Sequence, residues 1–495
     1  MKELLKAILK TGSGTIGTVL FGILTTKIIA VFTGPSGIGL FSLLRQTQQT
    51  LTGLATMQGN TALVQGLSSR DESVKSAYAG TVAVLFILIG AVVCLALWFL
   101  SPDLAVMILN RKDAQAVWLI RGLIPSILSA SAVMYLGSLL NSFRAIGRLA
   151  FVQLLSSAGG AAAAYPLVVW VGTPWGLLFV LWTMSGIGLL AGILFTWRGG
   201  WLAPMFRNLF KLWNGDSARY FIKFAGITII TGLLGTGTVL FIRTLFVHHG
   251  GLAEAGIFDA AWTLSAAYLM ILLSSLGTYY TPVLAATVDA KARVALMIQV
   301  FRMIILLVAP LITLVILGKS LVVSILYSKE FLPSFDIIQW MLIGDYFKAV
   351  GWVLATPMLA FADLRMFFWT EFLWNAGMMA GAWAALFVFN KVWMVGAIFL
   401  CLYIVYTTFC YWYATSRYGL RLTSAEIKTW VAGLILIVSA SLWTWGEIRV
   451  DLLKIGIYGG AIACFIWLGT NKYERRKLFN YVRENITSWR NQRSA

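Results

Sequence analysis

Four basic side chains lie inside hydrophobic runs that are long enough to cross a bilayer: Lys27, Arg45, Arg243 and Lys348. A charge at the centre of a membrane helix costs about 3 kcal/mol on insertion scales, so such a residue indicates a functional site. Lysine and arginine replace water around phosphate or carboxylate oxygens, and arginine does so through paired hydrogen bonds. The four cations are therefore candidate ligands for an anionic substrate in a cavity within the membrane.

The run that contains Arg45 is unusually polar for a membrane span. Arg45, Gln49 and Thr52 follow a spacing of four and then three residues, which places them on one helix face. A face of this kind cannot point toward lipid. It forms either a hydrogen-bonded seam between helices or the wall of a water-filled cavity, and the full charge of Arg45 favours the cavity.

The other buried charges leave alternatives open. Arg243 lies near one end of its span, where its long side chain could instead reach the membrane interface. Asp345 stands one turn before Lys348, so these two could neutralise each other. Asp259 could pair with Arg243 or face a conducted cation. Asp259 and Asp345 are therefore the candidate acids for tuning substrate affinity or for coupling to a proton or sodium gradient.

The composition predicts an all-α integral membrane protein. The chain has 495 residues, of which 59% are hydrophobic and 12% charged, and its mean hydropathy is +0.84. Runs of about 20 apolar residues recur, and each can span the hydrocarbon core as a helix, which satisfies its own backbone. Fourteen spans are predicted, at 12–33, 38–65, 77–100, 117–141, 149–171, 175–197, 222–247, 256–284, 302–326, 337–362, 366–389, 393–415, 429–446 and 452–470.

The distribution of basic residues predicts the orientation. One set of connecting segments, which includes both ends of the chain, holds 25 lysines and arginines, whereas the opposite set holds seven. Such an excess marks the cytoplasmic side, so both termini are expected there. The net charge of +19 is then explained by this bias and by contact with anionic phospholipids, with no need for a nucleic-acid partner.

An internal repeat divides the chain. The Thr-Val-Leu-Phe of residues 18–21 recurs at 238–241, Gly37-Ile38 recurs as Gly256-Ile257, and Arg148 matches Arg365, with offsets of 217 to 220. Repeated bundles are typical of transporters that work by alternating access. The predicted divisions are residues 1–205 (helices 1–6), 206–418 (helices 7–12), 419–470 (helices 13–14) and 471–495 (a basic cytoplasmic tail).

No motif for catalysis is present. The sequence has no P-loop and no metalloprotease signature, and His248-His249 has no second group of ligands. We therefore predict no catalytic residues, no metal and no bound cofactor. A membrane glycosyltransferase or polymerase remains the alternative from another class, but it would need carboxylates on a larger outer loop than this chain offers.

Several segments resemble the Wzx-type flippases for O-antigen and enterobacterial common antigen, which belong to the multidrug/oligosaccharidyl-lipid/polysaccharide exporter (MOP) superfamily. The resemblance covers about residues 1–415. It rests on residues 27–40 with Arg45-Gln46, on Gly256 to Phe258 with Tyr268 and Pro282, on residues 340–345 with Lys348, and on Leu364-Arg365 with Glu371.

This resemblance implies two pseudo-symmetric six-helix lobes arranged as a V around a cationic cavity. It also implies a transporter, not an enzyme, that moves an undecaprenyl-diphosphate-linked oligosaccharide from the inner to the outer leaflet of a bacterial inner membrane. The polymerase and chain-length proteins of the same pathway would then be partners. The two extra helices resemble in number the lipid II flippase of the superfamily. A multidrug or cation exporter of the same superfamily is the nearest alternative, and its cavity should be acidic.

Overall fold

A computed structural model describes the backbone of residues 2–68, 72–201, 213–446 and 451–470, and within these ranges the side chains from residue 17 onward except those of 72–74, 227, 271, 275 and 278. These residues form α-helices joined by short turns, without a β-strand in the described ranges. The predicted all-α membrane fold is thus confirmed. The predicted basic tail, 471–495, lies outside the described residues.

The fifteen α-helices of the described ranges include two that are kinked and two that continue as π-helices. They are α1 (Lys2–Ala55), α2 (Asn60–Ser68), α3 (Glu72–Leu109), α4 (Ala114–Arg121), α5 (Leu123–Ser142), α6 (Ile146–Pro166, then a π-helix at Leu167–Val171), α7 (Trp175–Arg198), α8 (Gly215–Ala286), α9 (Ala290–Leu317), α10 (Lys319–Leu326), α11 (Phe335–Ala360), α12 (Leu364–Trp383, then a π-helix at Ala384–Val388), α13 (Trp393–Tyr418), α14 (Ser424–Trp443) and α15 (Leu452–Gly469).

Each of the fourteen predicted spans coincides with helical structure. Ten helical segments of the described ranges are long and apolar enough to cross a membrane, and two of these, of 39 and 59 residues, are long enough for two spans each. The remaining two predicted spans correspond to α11 and α12. The chain is a multi-pass membrane protein.

A single glycine with a non-helical conformation kinks each of the helices α1 and α8. Gly34 has φ 63° and ψ −164°, and Gly251 has φ 80° and ψ −172°, whereas the residues on either side remain helical. Only glycine adopts this backbone region easily. Pro35 begins the next helical segment of α1 with the φ that a helix requires.

Three predicted spans are interrupted. The span at 38–65 ends its first helix at Ala55 and resumes at Asn60, the span at 117–141 breaks at Gly122, and the span at 302–326 breaks at Gly318. Hydropathy does not detect these breaks, because its average over a span-length window hides a break of one to four residues.

The helices group into two compact units. The first comprises residues 1–279, 323–338 and 364–402, and the second comprises 280–322, 339–363 and 403–495. The division of the chain into lobes at residues 205 and 418 stays a prediction from the repeat.

In the second unit, two basic side chains bind the last two helices: Lys319 of α10 binds the end of α14, and Arg302 of α9 binds the end of α15. Lys319, only 3% exposed, donates to the carbonyl of Thr444 at 2.6 Å, just beyond the end of α14. Arg302 donates two hydrogen bonds, of 3.0 and 2.6 Å, to the carbonyl of Gly469 at the end of α15. The carboxyl ends of helices carry unpaired carbonyls and a partial negative charge, which basic groups stabilise.

Candidate functional site

A polar cavity of about 360 Å³ lies in the first unit beside the second half of α1. Arg45, Gln49 and Thr52 all line it, as their spacing predicted for a cavity wall. The remaining wall is contributed by α5, α6, α7 and α8. Its other lining residues are Gln48, Gly53, Gln58, Ala130, Val133, Met134, Ser156, Leu181, Met184, Ser185 and Thr236.

Arg45 is the one charged side chain among the residues that line this cavity. It is exposed, and it makes no hydrogen bond or ion pair with the described residues. The Thr52 hydroxyl is buried and likewise has no hydrogen-bond partner in the described part of the chain. The cavity thus presents a guanidinium group and a hydroxyl whose hydrogen-bonding capacity is unused.

Gln58 enters the cavity from an irregular turn. Met57 and Gln58 have φ angles of 51° and 49°, a left-handed conformation that is uncommon for residues other than glycine. The turn lies between α1 and α2, and the Gln58 side chain fills the space beside Gly53 and Gly232. Backbone strain of this kind costs about 1–3 kcal/mol and tends to occur at functional sites. Gln58 is therefore a site candidate that the sequence did not single out.

Arg243 belongs to a second, buried cluster in the same unit. Its Nη1 donates to Oε1 of Gln46 at 2.6 Å, and its Nη2 donates to the carboxylate of Asp259. Gln46 in turn donates to the carbonyl of Thr236 at 2.9 Å. Arg243 and Asp259 are each 7% exposed. The expected pairing with Asp259 is confirmed, and the alternative in which Arg243 reaches the membrane interface is wrong.

This cluster adjoins the cavity without being part of its surface. Gln46 follows Arg45 directly on α1, and Thr236, whose carbonyl binds Gln46, also lines the cavity. In this conformation the charge of Arg243 is neutralised by Asp259. Arg45 therefore supplies the unpaired positive charge of this region, and Arg243 would have to leave Asp259 to supply another.

Lys27 binds protein and does not line the cavity. Its Nζ donates to the carbonyl of Ser324 at 2.7 Å and to the carbonyl of Tyr327, where α10 ends. The lysine thereby caps the last turn of α10 and joins it to α1, which is a structural role in this conformation.

Asp345 and Lys348 lie on α11 in the second unit. Asp345 is fully buried, and Lys348 is half-buried with Nζ 5.8 Å from the centre of the Tyr403 ring. Neither residue lines the polar cavity of the first unit. Their predicted roles as a substrate ligand and a coupling acid stay predictions.

Some lining residues carried no signal in the sequence. Ser185 and Thr236 each donate to a carbonyl of their own helix, and Ser156 donates to the carbonyl of Met184, so nothing in their spacing marks them as cavity residues. Gln48 and Gln58 belong to the same polar run as Arg45, and the place of Gln58 in the wall depends on the turn after Ala55.

Two solved structures of membrane transporters have a fold similar to that of this chain. The structure of the lipid II flippase MurJ in an inward closed conformation matches with a TM-score of 0.68 at 11% identity, over 97% of this chain and all of that one. An inward-facing MATE multidrug transporter of the MOP superfamily matches with a TM-score of 0.66 at 12% identity, over 84% of this chain and 96% of its own. The fold of this chain is similar to the folds of both of these transporters.

The chain belongs to the polysaccharide biosynthesis protein family, whose pattern matches residues 28–336. It is also 23% identical to the lipid III flippase of Escherichia coli K12 over 372 residues, which cover 74% of this chain and 88% of that protein. The MurJ match leaves out about 3% of this chain, or about 15 residues, which is fewer than α14 or α15 contains. At least part of each of the last two helices therefore has a counterpart in that flippase fold.

Proposed function

We propose that this protein is a flippase that moves an undecaprenyl-diphosphate-linked oligosaccharide from the inner to the outer leaflet of a bacterial inner membrane by alternating access. The observation that carries the proposal is Arg45, an arginine without an ionic partner in a polar cavity of a membrane bundle. Membership of the polysaccharide biosynthesis family and the similarity to a lipid III flippase support it.

The chemistry of the cavity suits such a substrate. A diphosphate cannot enter hydrocarbon alone, because an unpaired buried ion loses its hydration. The Arg45 guanidinium can replace that hydration with two parallel hydrogen bonds to phosphate oxygens. Gln49, Gln58 and Thr52 offer amide and hydroxyl groups that match the hydroxyls of a sugar. The substrate moves without a covalent change, so the cavity needs no nucleophile.

The Arg243–Asp259 pair supplies the coupling step of the proposal. A proton or a sodium ion that binds Asp259 would weaken its hold on Arg243, which would then strengthen the positive field near Arg45. Loss of that ion would restore the pair and favour release of the diphosphate. Both termini would lie in the cytoplasm, and a polymerase and chain-length proteins would receive the product.

A multidrug or cation exporter is the second candidate, because the MATE fold matches nearly as well as that of MurJ. A cationic drug would be repelled by the unpaired Arg45, since no carboxylate lines the polar cavity within the described residues. The electrostatics of this cavity therefore favour the anionic substrate.

The test is leaflet translocation in proteoliposomes that contain a fluorescent undecaprenyl-diphosphate-linked oligosaccharide. Arg45→Ala should lower the translocation rate about 10- to 100-fold, because a charged hydrogen bond contributes about 1.5–3 kcal/mol. Arg45→Lys should retain part of the rate. Arg111→Ala is the matched control: Arg111 is already paired with Asp113 at 2.7 Å in a turn, so its loss should leave the rate unchanged.

If Arg45→Ala translocates at the parent rate, the cavity is not the head-group site. If the parent protein moves a cationic dye and fails to move the lipid-linked sugar, the exporter hypothesis replaces the proposal.

A further inference from the structure

An apolar groove of about 900 Å³ runs along α8 in the first unit, separate from the polar cavity. It follows α8 from Ile230 to His248. The π-helix after α12 and the end of α3 form the opposite wall, through Phe387 and Met107. Its polar lining is limited to Thr238, Thr244 and His248, and His248 already bonds the carbonyl of Met107 at 2.8 Å.

The groove is nearly as long as the hydrocarbon core of a bilayer is thick. Eighteen residues separate Ile230 from His248, which corresponds to about 27 Å along a helix at 1.5 Å per residue. The hydrocarbon core of a bilayer is about 30 Å thick. A groove of this length and polarity suits a single extended hydrocarbon chain, because a polar ligand would find few hydrogen-bonding groups there.

The groove and the polar cavity share one turn of α8. Thr236 lines the polar cavity, and the next two residues, Gly237 and Thr238, line the apolar groove. Gly235 and Gly237 have no heavy atom of a neighbour within 4 Å of where a Cβ would stand. The two spaces therefore lie on neighbouring faces of one turn of α8, and a molecule with a polar head in one and an apolar tail in the other would contact that turn from both sides.

We propose that this groove holds the polyprenyl tail of the substrate whose diphosphate and first sugar occupy the Arg45 cavity. The proposal rests on the proposed function and names the place of the tail. A polyprenyl diphosphate has one tail and a charged head, which matches one groove beside one cation-bearing cavity. A phospholipid has two tails and would leave one of them outside the groove.

The test fills the groove without disturbing the fold. Gly237→Leu places a side chain in open space within a helix, where leucine is intrinsically more favourable than glycine by about 1 kcal/mol. Gly235→Leu is the matched control, since Gly235 is equally unobstructed on the same helix but lines neither space. Binding to purified protein would be measured with undecaprenyl diphosphate and with a ten-carbon prenyl diphosphate.

Gly237→Leu should weaken the binding of undecaprenyl diphosphate at least fivefold and leave the ten-carbon compound unaffected, whereas Gly235→Leu should change neither. In addition, an undecaprenyl diphosphate with a photoreactive group near the end of its tail should label residues 230–248 or 379–387. An equal loss for both tail lengths, or no loss for either, overturns the proposal. Preferential labelling of these residues by a photoreactive phospholipid also overturns it.

These results separate the two proposals. Because undecaprenyl diphosphate carries no sugar and binding needs no transport, the groove can be occupied as proposed even if lipid-linked oligosaccharide is not translocated. Conversely, Arg45→Ala can stop translocation while Gly237→Leu has no effect, in which case only the tail assignment fails.

Discussion

The two kinked helices, α1 and α8, share a backbone design but differ in the chemistry that follows the kink. Gly34 and Gly251 are 217 residues apart, and both adopt the same non-helical conformation. Five residues after each kink, Gly39 and Gly256 meet so closely that a Cβ on either would collide with a carbonyl of the other helix. The π-helices at 167–171 and 384–388 repeat the same offset.

The side chains after the kink do not repeat. In α1 this segment carries the polar face of the cavity, whereas in α8 it carries Trp262, packed against Phe258 and Phe399. At the offset of 217, Arg45, Gln49 and Thr52 correspond to Trp262, Ala266 and Leu269. The duplicated backbone supplies the crossing of the helices, and only the first copy supplies a polar face that carries an arginine. Symmetry in the backbone therefore does not imply two equivalent sites.

The largest expected effect concerns the buried Arg243–Asp259 pair, whose members lie on either side of the kink in α8. Asp259→Asn leaves Arg243 buried without a counter-charge, which should lower the free energy of unfolding by about 3–5 kcal/mol. The double variant Arg243→Met with Asp259→Leu should recover most of that loss but should not restore transport. Unfolding by SDS titration in mixed micelles measures both.

Asp113→Asn is the control, because its pair with Arg111 is exposed and should leave the unfolding midpoint unchanged. If Asp259→Asn is as stable as the parent, the pair does not stabilise the kinked helix α8.

A smaller loss of stability is expected from a substitution of Lys27 on α1. This variant tests whether Lys27 has a structural role. Lys27→Met removes the hydrogen bonds to Ser324 and Tyr327 and should cost about 1.5–3 kcal/mol of stability. Thr244→Val, at the corresponding place in α8, should be nearly neutral. The same titration checks both. If the Lys27→Met variant is as stable as the parent but binds undecaprenyl diphosphate poorly, Lys27 is a substrate ligand and its structural role is wrong.

The smallest effect is expected at the two kinks. Gly34→Ala and Gly251→Ala force alanine into a backbone region that costs about 1–3 kcal/mol. Gly34→Ala should be the worse of the two, because its new methyl group would lie 2.7 Å from the carboxylate of Glu330, whereas Gly251 has open space. Thermal unfolding measures the difference, with Gly22→Ala as a control in open helical space. Equal and negligible losses would show that neither kink needs glycine.

The fold could be predicted from sequence because the physics of a bilayer is simple. Each apolar run must form a helix, so hydropathy located all fourteen spans. The spacing of Arg45, Gln49 and Thr52 likewise placed them on one wall, since a helix fixes which residues share a face.

The partners of the other charges depended on contacts far apart in the chain. Lys27 reaches carbonyls 297 and 300 residues away, and a carbonyl leaves no trace in the residue type that carries it. Asp259 was a recognisable partner for Arg243 because a buried charge requires an opposite one, but Gln46 completes that cluster only through the crossing at Gly39 and Gly256. The position of Gln58 in the cavity wall depends on the irregular turn at Met57 and Gln58, which hydropathy does not detect.

Lys319 and Arg302, which bind carbonyls at the carboxyl ends of α14 and α15, have a consequence for truncated forms of this protein. A chain that stopped after α13 would lack the carbonyls of Thr444 and Gly469 that Lys319 and Arg302 now bind, and each lost hydrogen bond to a charged group costs about 1.5–3 kcal/mol. The last hairpin is thus an integral component of its bundle, and truncation alone is a poor way to learn what it does.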